Sequence, residues 1–191
     1  MKALIVALLG WLLGRKGAVP ETQPSPVPAE PISMPMPEPT LPPAPAPLLW
    51  DTPENARHSI RVICDEELPI ERTVLVDGLY YLPKDVITAC IRQESRFRNL
   101  RADGTPTRLE NLDKAGRVWS TDWGICQVND YWHIKGHGKP EWDVRKEWES
   151  VEEVVANPEK VVRWMIRMYK AGQLGQWVSY SSGAYVRYLP R

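Results

Sequence analysis

Residues 82–97 read LPKDVITACIRQESRF, and the fold turns on where the apolar side chains of this stretch fall. Pro83 stands where a helix tolerates proline, in the first turn, because the N–H it lacks has no intrahelical partner there. Val86, Ile87, Cys90, Ile91 and Phe97 then recur at helical spacing, which predicts a helix with one buried face. Counting by three and four along that face also brings in Glu94. A carboxyl group on an apolar face loses hydration, so its charged form is disfavoured and its pKa rises. Glu94 is therefore a candidate proton donor near neutral pH. Cleavage of a glycosidic bond needs such a donor, because the leaving oxygen must be protonated as the bond breaks.

The same device appears upstream. DTPENARHSIRVIC, residues 51–64, offers Thr52 as an N-cap, Pro53 at the first helical position and apolar side chains at Ala56, Ile60 and Ile63. Downstream, residues 101–130 place Asp-Gly and Ala-Gly pairs and polar clusters between short apolar runs, which predicts a small irregular hairpin region. Helices then return. Ser150 and Glu153 fit a capping box, and Asn157-Pro158 opens a longer helix carrying Val161, Val162, Met165, Met168 and Tyr169, closed by Gly172. QWVSYSSGAYVRYL, residues 176–189, reads as a last short aromatic helical piece. Helices around a small β-hairpin region make an α+β domain that is mainly α, expected over residues 50–191.

Composition narrows the partners. With 24 basic and 24 acidic side chains the 191-residue chain is neutral, which argues against a nucleic-acid binder held by counterion release. Nine tryptophans and seven tyrosines against one phenylalanine favour rings that both stack and hydrogen-bond. Cys64, Cys90 and Cys126 permit at most one intramolecular bridge. In an exported chain Cys64 would bridge to either partner; the alternative is three small core residues. His133 and His137 have helical metal spacing, but Gly136 and Gly138 interrupt a helix there, so neither metal nor cofactor is expected. Arg163 and Arg167 are expected on a solvated helix face.

Residues 1–18 begin with Lys2, continue through an apolar run from Ala3 to Leu13 and end near Arg15 and Lys16. The run is shorter than a comfortable membrane span and matches the apolar region of a secretory signal. Lys16 disfavours cleavage after Ala18, so a signal peptide and an uncleaved anchor both stay open. Residues 19–49 form a linker, with twelve prolines between Pro20 and Pro47, suited to an extended semi-rigid spacer. An exported domain tethered in the periplasm or cell envelope, with the inner membrane as anchor, is the expectation.

STDWGICQVND, residues 120–130, sets Asp122 in an apolar run and follows it with the amides Gln127 and Asn129. A buried strand would leave those donors and acceptors without use, so they read as the floor of a site. QESRF (93–97), this motif and WVSYSSGAY (177–185) together resemble, in order, the lysozyme-like superfamily of lytic transglycosylases and goose- and c-type lysozymes. The likeness covers about residues 52–188 and is nearest to the transglycosylases that open peptidoglycan for secretion and conjugation machines. It implies a lysozyme-like fold, peptidoglycan glycan strands as substrate, and the bond between N-acetylmuramic acid and N-acetylglucosamine as target. By that resemblance Glu94 is the general acid and base, while Gln127, Asn129 and Tyr180 line the glycan cleft and Trp132 stacks on sugar. Asp122 either stabilises charge or serves as the nucleophile of a hydrolytic muramidase, and Ser95 either holds the substrate acetamide or caps its helix. A non-catalytic glycan-binding module is the third reading. Two features depart from the family: Ser181 follows Tyr180 where an asparagine is usual, and the insert at 101–119 is expected to form a longer lobe over the cleft.

Overall fold

Thr52 and Pro53 start the first helix as their types require. In the computed structural model, which describes residues 48–71 and 73–191, helix α1 spans Pro53–Glu67 and the Thr52 side chain accepts a hydrogen bond from the Asn55 N–H. The apolar leader and nearly all of the proline-rich stretch lie outside the described residues. Strands β1 (Val74–Val76) and β2 (Leu79–Tyr81) follow as an antiparallel hairpin. Its two turn residues, Asp77 and Gly78, have φ of 48° and 81°, the left-handed pair that matches the twist of the flanking strands. This hairpin adds to the sequence expectation, although the Asp-Gly pair was its signal.

Helix α2 spans Pro83–Ser95 and buries Val86, Ile87, Cys90 and Ile91. It stops before Phe97: Arg96 caps it in the left-handed region at φ 56°, and Phe97 follows at φ 64°. The reversal swings Phe97 into the core from beyond the helix end rather than along its face.

The hairpin region is a three-stranded antiparallel sheet, β3 (Arg108–Leu112), β4 (Val118–Trp123) and β5 (Val128–Asn129), with β4 in the middle. A one-turn helix α3 (Asp130–His133) leaves β5 directly, and the Asn129 side chain caps it by accepting from the Trp132 N–H. Then come α4 (Val151–Ala156) and α5 (Pro158–Lys170). Ser150 caps α4 as expected, but the Glu153 carboxylate reaches back to the Glu149 N–H, one residue short of a reciprocal capping box. At the other end of α5, the N–H groups of Gly172 and Gln173 bond the carbonyls of Tyr169 and Met168, with Gly172 at φ 71°. The terminal aromatic stretch is broken into α6 (Val178–Ser181) between 3-10 turns at Leu174–Gln176 and Ala184–Tyr188. Gly183 at φ 72° supplies the break.

The order of elements, mostly helical with two small antiparallel sheets, is α+β. Helix α2 is packed by α1, by α6 and by the last 3-10 turn, while α5 lies on α1 and α4. Their apolar faces meet Ile125, Cys126, Val128, Ile134 and Trp148 in one core. Arg163 is engaged rather than simply solvated: its guanidinium reaches Glu67 on α1 at 2.7 Å, Glu66 at 2.9 Å and Glu159 on its own helix at 2.9 Å. All three cysteines are buried free thiols. Burial pushes Cys64 and Cys90 up to about 12 and also raises Cys126 well above the ordinary thiol range.

One buried amide holds the sheet to the helices. Asn99 accepts from the Ile125 N–H at 3.2 Å and donates to the Val155 carbonyl of α4 at 2.7 Å. Gly124 passes so close that a Cβ there would sit 3.0 Å from the Asn99 Oδ1. Asn99→Ala leaves the buried Ile125 N–H unpaired, at about 1 to 3 kcal/mol, and the part-buried Val155 carbonyl unpaired, at about 1 kcal/mol. The expected loss in unfolding free energy by urea titration is therefore about 2 to 4 kcal/mol, and a change under about 0.5 kcal/mol, as for an ordinary surface substitution, would mean the amide is not a structural tie.

Candidate active site

Glu94 sits in the last turn of α2, one turn after Cys90. Its carboxyl group is half-buried, and Oε1 accepts from the Ser179 N–H of α6 at 3.3 Å. Burial raises its pKa, the hydrogen bonds from Ser179 pull it back, and the charge of Asp122 pushes it up again. The two carboxylates are therefore near enough to sense each other.

Asp122 is built differently. The two-residue period of β4 puts it on one face with Ser120, and each flanking strand contributes an asparagine to that face. Asn111 of β3 donates to Asp122 Oδ2 at 3.0 Å and to Ser120 Oγ at 3.1 Å. Asn129 of β5 donates to Asp122 Oδ1 at 2.7 Å and to Ser120 Oγ at 3.0 Å. Burial raises the Asp122 pKa, the Asn111 and Asn129 amides oppose it, and the charge of Asp130 adds a smaller push upward. Asp130 is itself buried, accepting from the Thr121 N–H at 2.9 Å and the Trp123 indole at 3.3 Å.

The other sequence-named residues divide. Asn129 belongs to the site through Asp122. Gln127 does not line open space: it is buried at φ 52° in the turn between β4 and β5, and its amide donates to the Gly124 carbonyl at 2.8 Å. Ser95 is buried with its hydroxyl donating to the Ile91 carbonyl at 3.3 Å, which is the helix-end role of its two alternatives. Tyr180 follows Ser179, and its ring stacks on Tyr185 at 5.3 Å. Trp132 is 50% exposed and stacks on Trp142 with centroids 5.1 Å apart and planes at 14°. Tyr131 packs edge-on against both, and against Trp119 of β4, which is 47% exposed. Four aromatic rings thus gather on β4, α3 and the 3-10 turn Pro140–Arg145.

His133 is held near pKa 4 by burial, assisted by the Lys146 charge, and packs against Trp164, so it is neutral at physiological pH. Among the described residues no group of three or more His, Cys, Asp or Glu side chains is arranged to hold a metal. Three contributors were missed by sequence reasoning: Ser179, Asn111 and Ser120. The strand period that puts Asp122 on one face of β4 puts Ser120 on the same face, so Ser120 was legible in SxD, whereas Asn111 needed the register of β3 on β4. Ser179 meets Glu94 only because α6 packs on α2, and 85 positions separate them. No protein-family profile, curated protein or solved structure matches the chain.

The amide clamp has a testable sign. Each asparagine donates to the ionised form of Asp122, so removing one disfavours ionisation. Asn111→Ala is expected to move the Asp122 carboxyl titration, followed by carbon NMR, to higher pH than in the unaltered protein. A downward shift or none would show that the asparagine does not hold the charged form.

Proposed function

We propose that this chain is a peptidoglycan lytic transglycosylase of lysozyme-like fold, cutting the β-1,4 bond between N-acetylmuramic acid and N-acetylglucosamine. One observation carries the reading: a half-buried carboxyl group with a raised pKa stands within electrostatic reach of a second carboxylate fixed by two amides. An N–H can only donate, so when Glu94 is protonated the oxygen that meets Ser179 is the carbonyl one and the proton is carried on Oε2. From there it passes to the linkage oxygen as the glycosidic bond breaks, and positive charge develops on the muramic ring. Ionised Glu94 then takes the proton of the C6 hydroxyl, whose oxygen closes on C1 to give a 1,6-anhydro sugar. No water is consumed.

Asp122 supports this route over a hydrolytic one. Both of its oxygens already accept short amide hydrogen bonds, which suits a carboxylate that stabilises charge and weakens it as a nucleophile. The half-exposed rings of Trp119 and Trp132 support sugar recognition, since a pyranose face and an indole ring bury each other well. The leader and proline-rich linker support an exported enzyme tethered at the cell envelope, working on glycan strands alone or beside a secretion or conjugation machine. No helix among the described residues is long and apolar enough to cross a membrane.

Mass spectrometry of digested glycan checks the product: anhydro-muropeptides are expected, and reducing muramic ends alone would make the enzyme a muramidase. Glu94→Gln keeps shape and loses the acid proton, so lysis should fall by at least about 100-fold while glycan binding persists. An undiminished rate would put the acid elsewhere or leave only a glycan-binding module. The same variant has a stability signature. The folded-state pKa of Glu94 lies above its unfolded value, so the folded protein holds a proton that the unfolded chain gives up. Stability is then lost as pH rises from the unfolded pKa through the folded one, and Glu94→Gln should gain on the unaltered protein across that window in thermal melts.

Trp132→Ala removes one ring of the stacked pair and is expected to weaken glycan affinity by about 1 kcal/mol, read by calorimetry. Unchanged affinity would leave the aromatic cluster a packing feature.

A further inference from the structure

A second concave surface lies away from Glu94. Arg92 and Arg96 are one helical turn apart, and Glu94 between them points about 200° away from Arg92 around the axis, so the two arginines look out from the other side of the α2 terminus. There a cavity of about 370 Å³ is lined by Arg92, Arg96, Arg57 of α1 and Tyr188, with Glu54 as its one carboxylate. Arg187 completes the group: the guanidiniums of Arg92 and Arg187 lie 4.6 Å and 5.1 Å from the Tyr188 ring centroid. The left-handed cap at Arg96, φ 56°, is a conformation usually left to glycine or asparagine.

Four guanidiniums are thereby brought together from α1, α2, its cap and the last 3-10 turn. Among the described residues none of Arg57, Arg92, Arg96 and Arg187 forms an ion pair, whereas Arg108, Arg117, Arg163 and Arg167 each pair with a carboxylate. Stacking on Tyr188 orders two of them without neutralising either. The chain as a whole is neutral, so this concentration of positive charge is a local feature.

We propose that this pocket binds a multiply charged oxyanion, a ligand presenting at least two carboxylate or phosphate groups to the guanidinium forks of Arg57, Arg92 and Arg96. Planar forks on three different segments suit bidentate pairing with such groups, and Tyr188 supplies an apolar wall for the carbon frame between them. The site is independent of the glycan reaction, and its test reads binding alone.

The full-length protein is titrated by calorimetry with pyrophosphate and with the dipeptide Glu-Glu, at low salt. Saturable binding of at least one probe is expected, weakened about tenfold or more in the Arg92→Gln, Arg96→Gln double variant through loss of two charge-assisted contacts. Arg117→Gln, which alters an arginine already paired with Asp113, should leave binding unchanged. Preference for the dipeptide would assign a carboxylate ligand, and preference for pyrophosphate a phosphate one. No saturable binding of either probe at millimolar concentration overturns the proposal, as does an equal loss in Arg117→Gln.

Discussion

The placement of one carboxyl group on the apolar face of α2 constrains everything around it. The face was built to enter the core, and Cys90 and Ile91 beside Glu94 are fully buried. A charge there is costly to desolvate, and the fold relieves the cost in two ways. Glu94 stands in the last turn, where the helix runs out of cover, and α6 brings the Ser179 N–H to it. Helix α6 is itself anchored, because the Trp177 indole donates to the Cys126 carbonyl at 2.7 Å in the turn between β4 and β5. Glu94, the helix that meets it and the strand that carries Asp122 are thus connected by polar contacts as well as by apolar packing.

Asn99 works from the opposite side. By bonding Ile125 and Val155 together it fixes the same β4–β5 turn to α4, and Gly124 makes room for it. The turn that follows Asp122 is therefore held at both flanks, by Trp177 and by Asn99. Such double support limits how far this turn, and with it the end of β4 that carries Asp122, can move against the helices.

Much of the helical framework was legible because its signals are local. Thr52-Pro53, Pro83 and Asn157-Pro158 each mark a helix start, and the turn at Gly172 marks an end, without reference to anything distant. Phe97 misled because its spacing continues the helix while the backbone has already reversed at Arg96, a choice made by packing. Gln127 misled for a similar reason. Its position two before Asn129 suggests one face of a strand, but β5 begins only at Val128, and the left-handed turn directs the Gln127 amide inward. Glu94 and Asp122 were visible as acids in apolar settings, whereas Ser179 and Asn111 depend on which elements become neighbours, and no local pattern encodes that.

Burial raises both Glu94 and Asp122, so burial alone does not say which of them keeps a proton. The difference lies in the donors. Asp122 has an amide on each oxygen, at 2.7 Å and 3.0 Å, from side chains that are themselves pinned by Ser120. Glu94 is met by Ser179 alone, whose N–H reaches one carboxyl oxygen at 3.3 Å. Hydrogen bonds to the charged form oppose the upward shift at both carboxyls, through two side-chain amides at Asp122 and through Ser179 at Glu94. The charge of an ionised Asp122 in turn makes ionisation of Glu94 harder. The two carboxyl groups are thus alike in burial and differ in the donors that separate elements bring to them, β3 and β5 to Asp122 and α6 to Glu94.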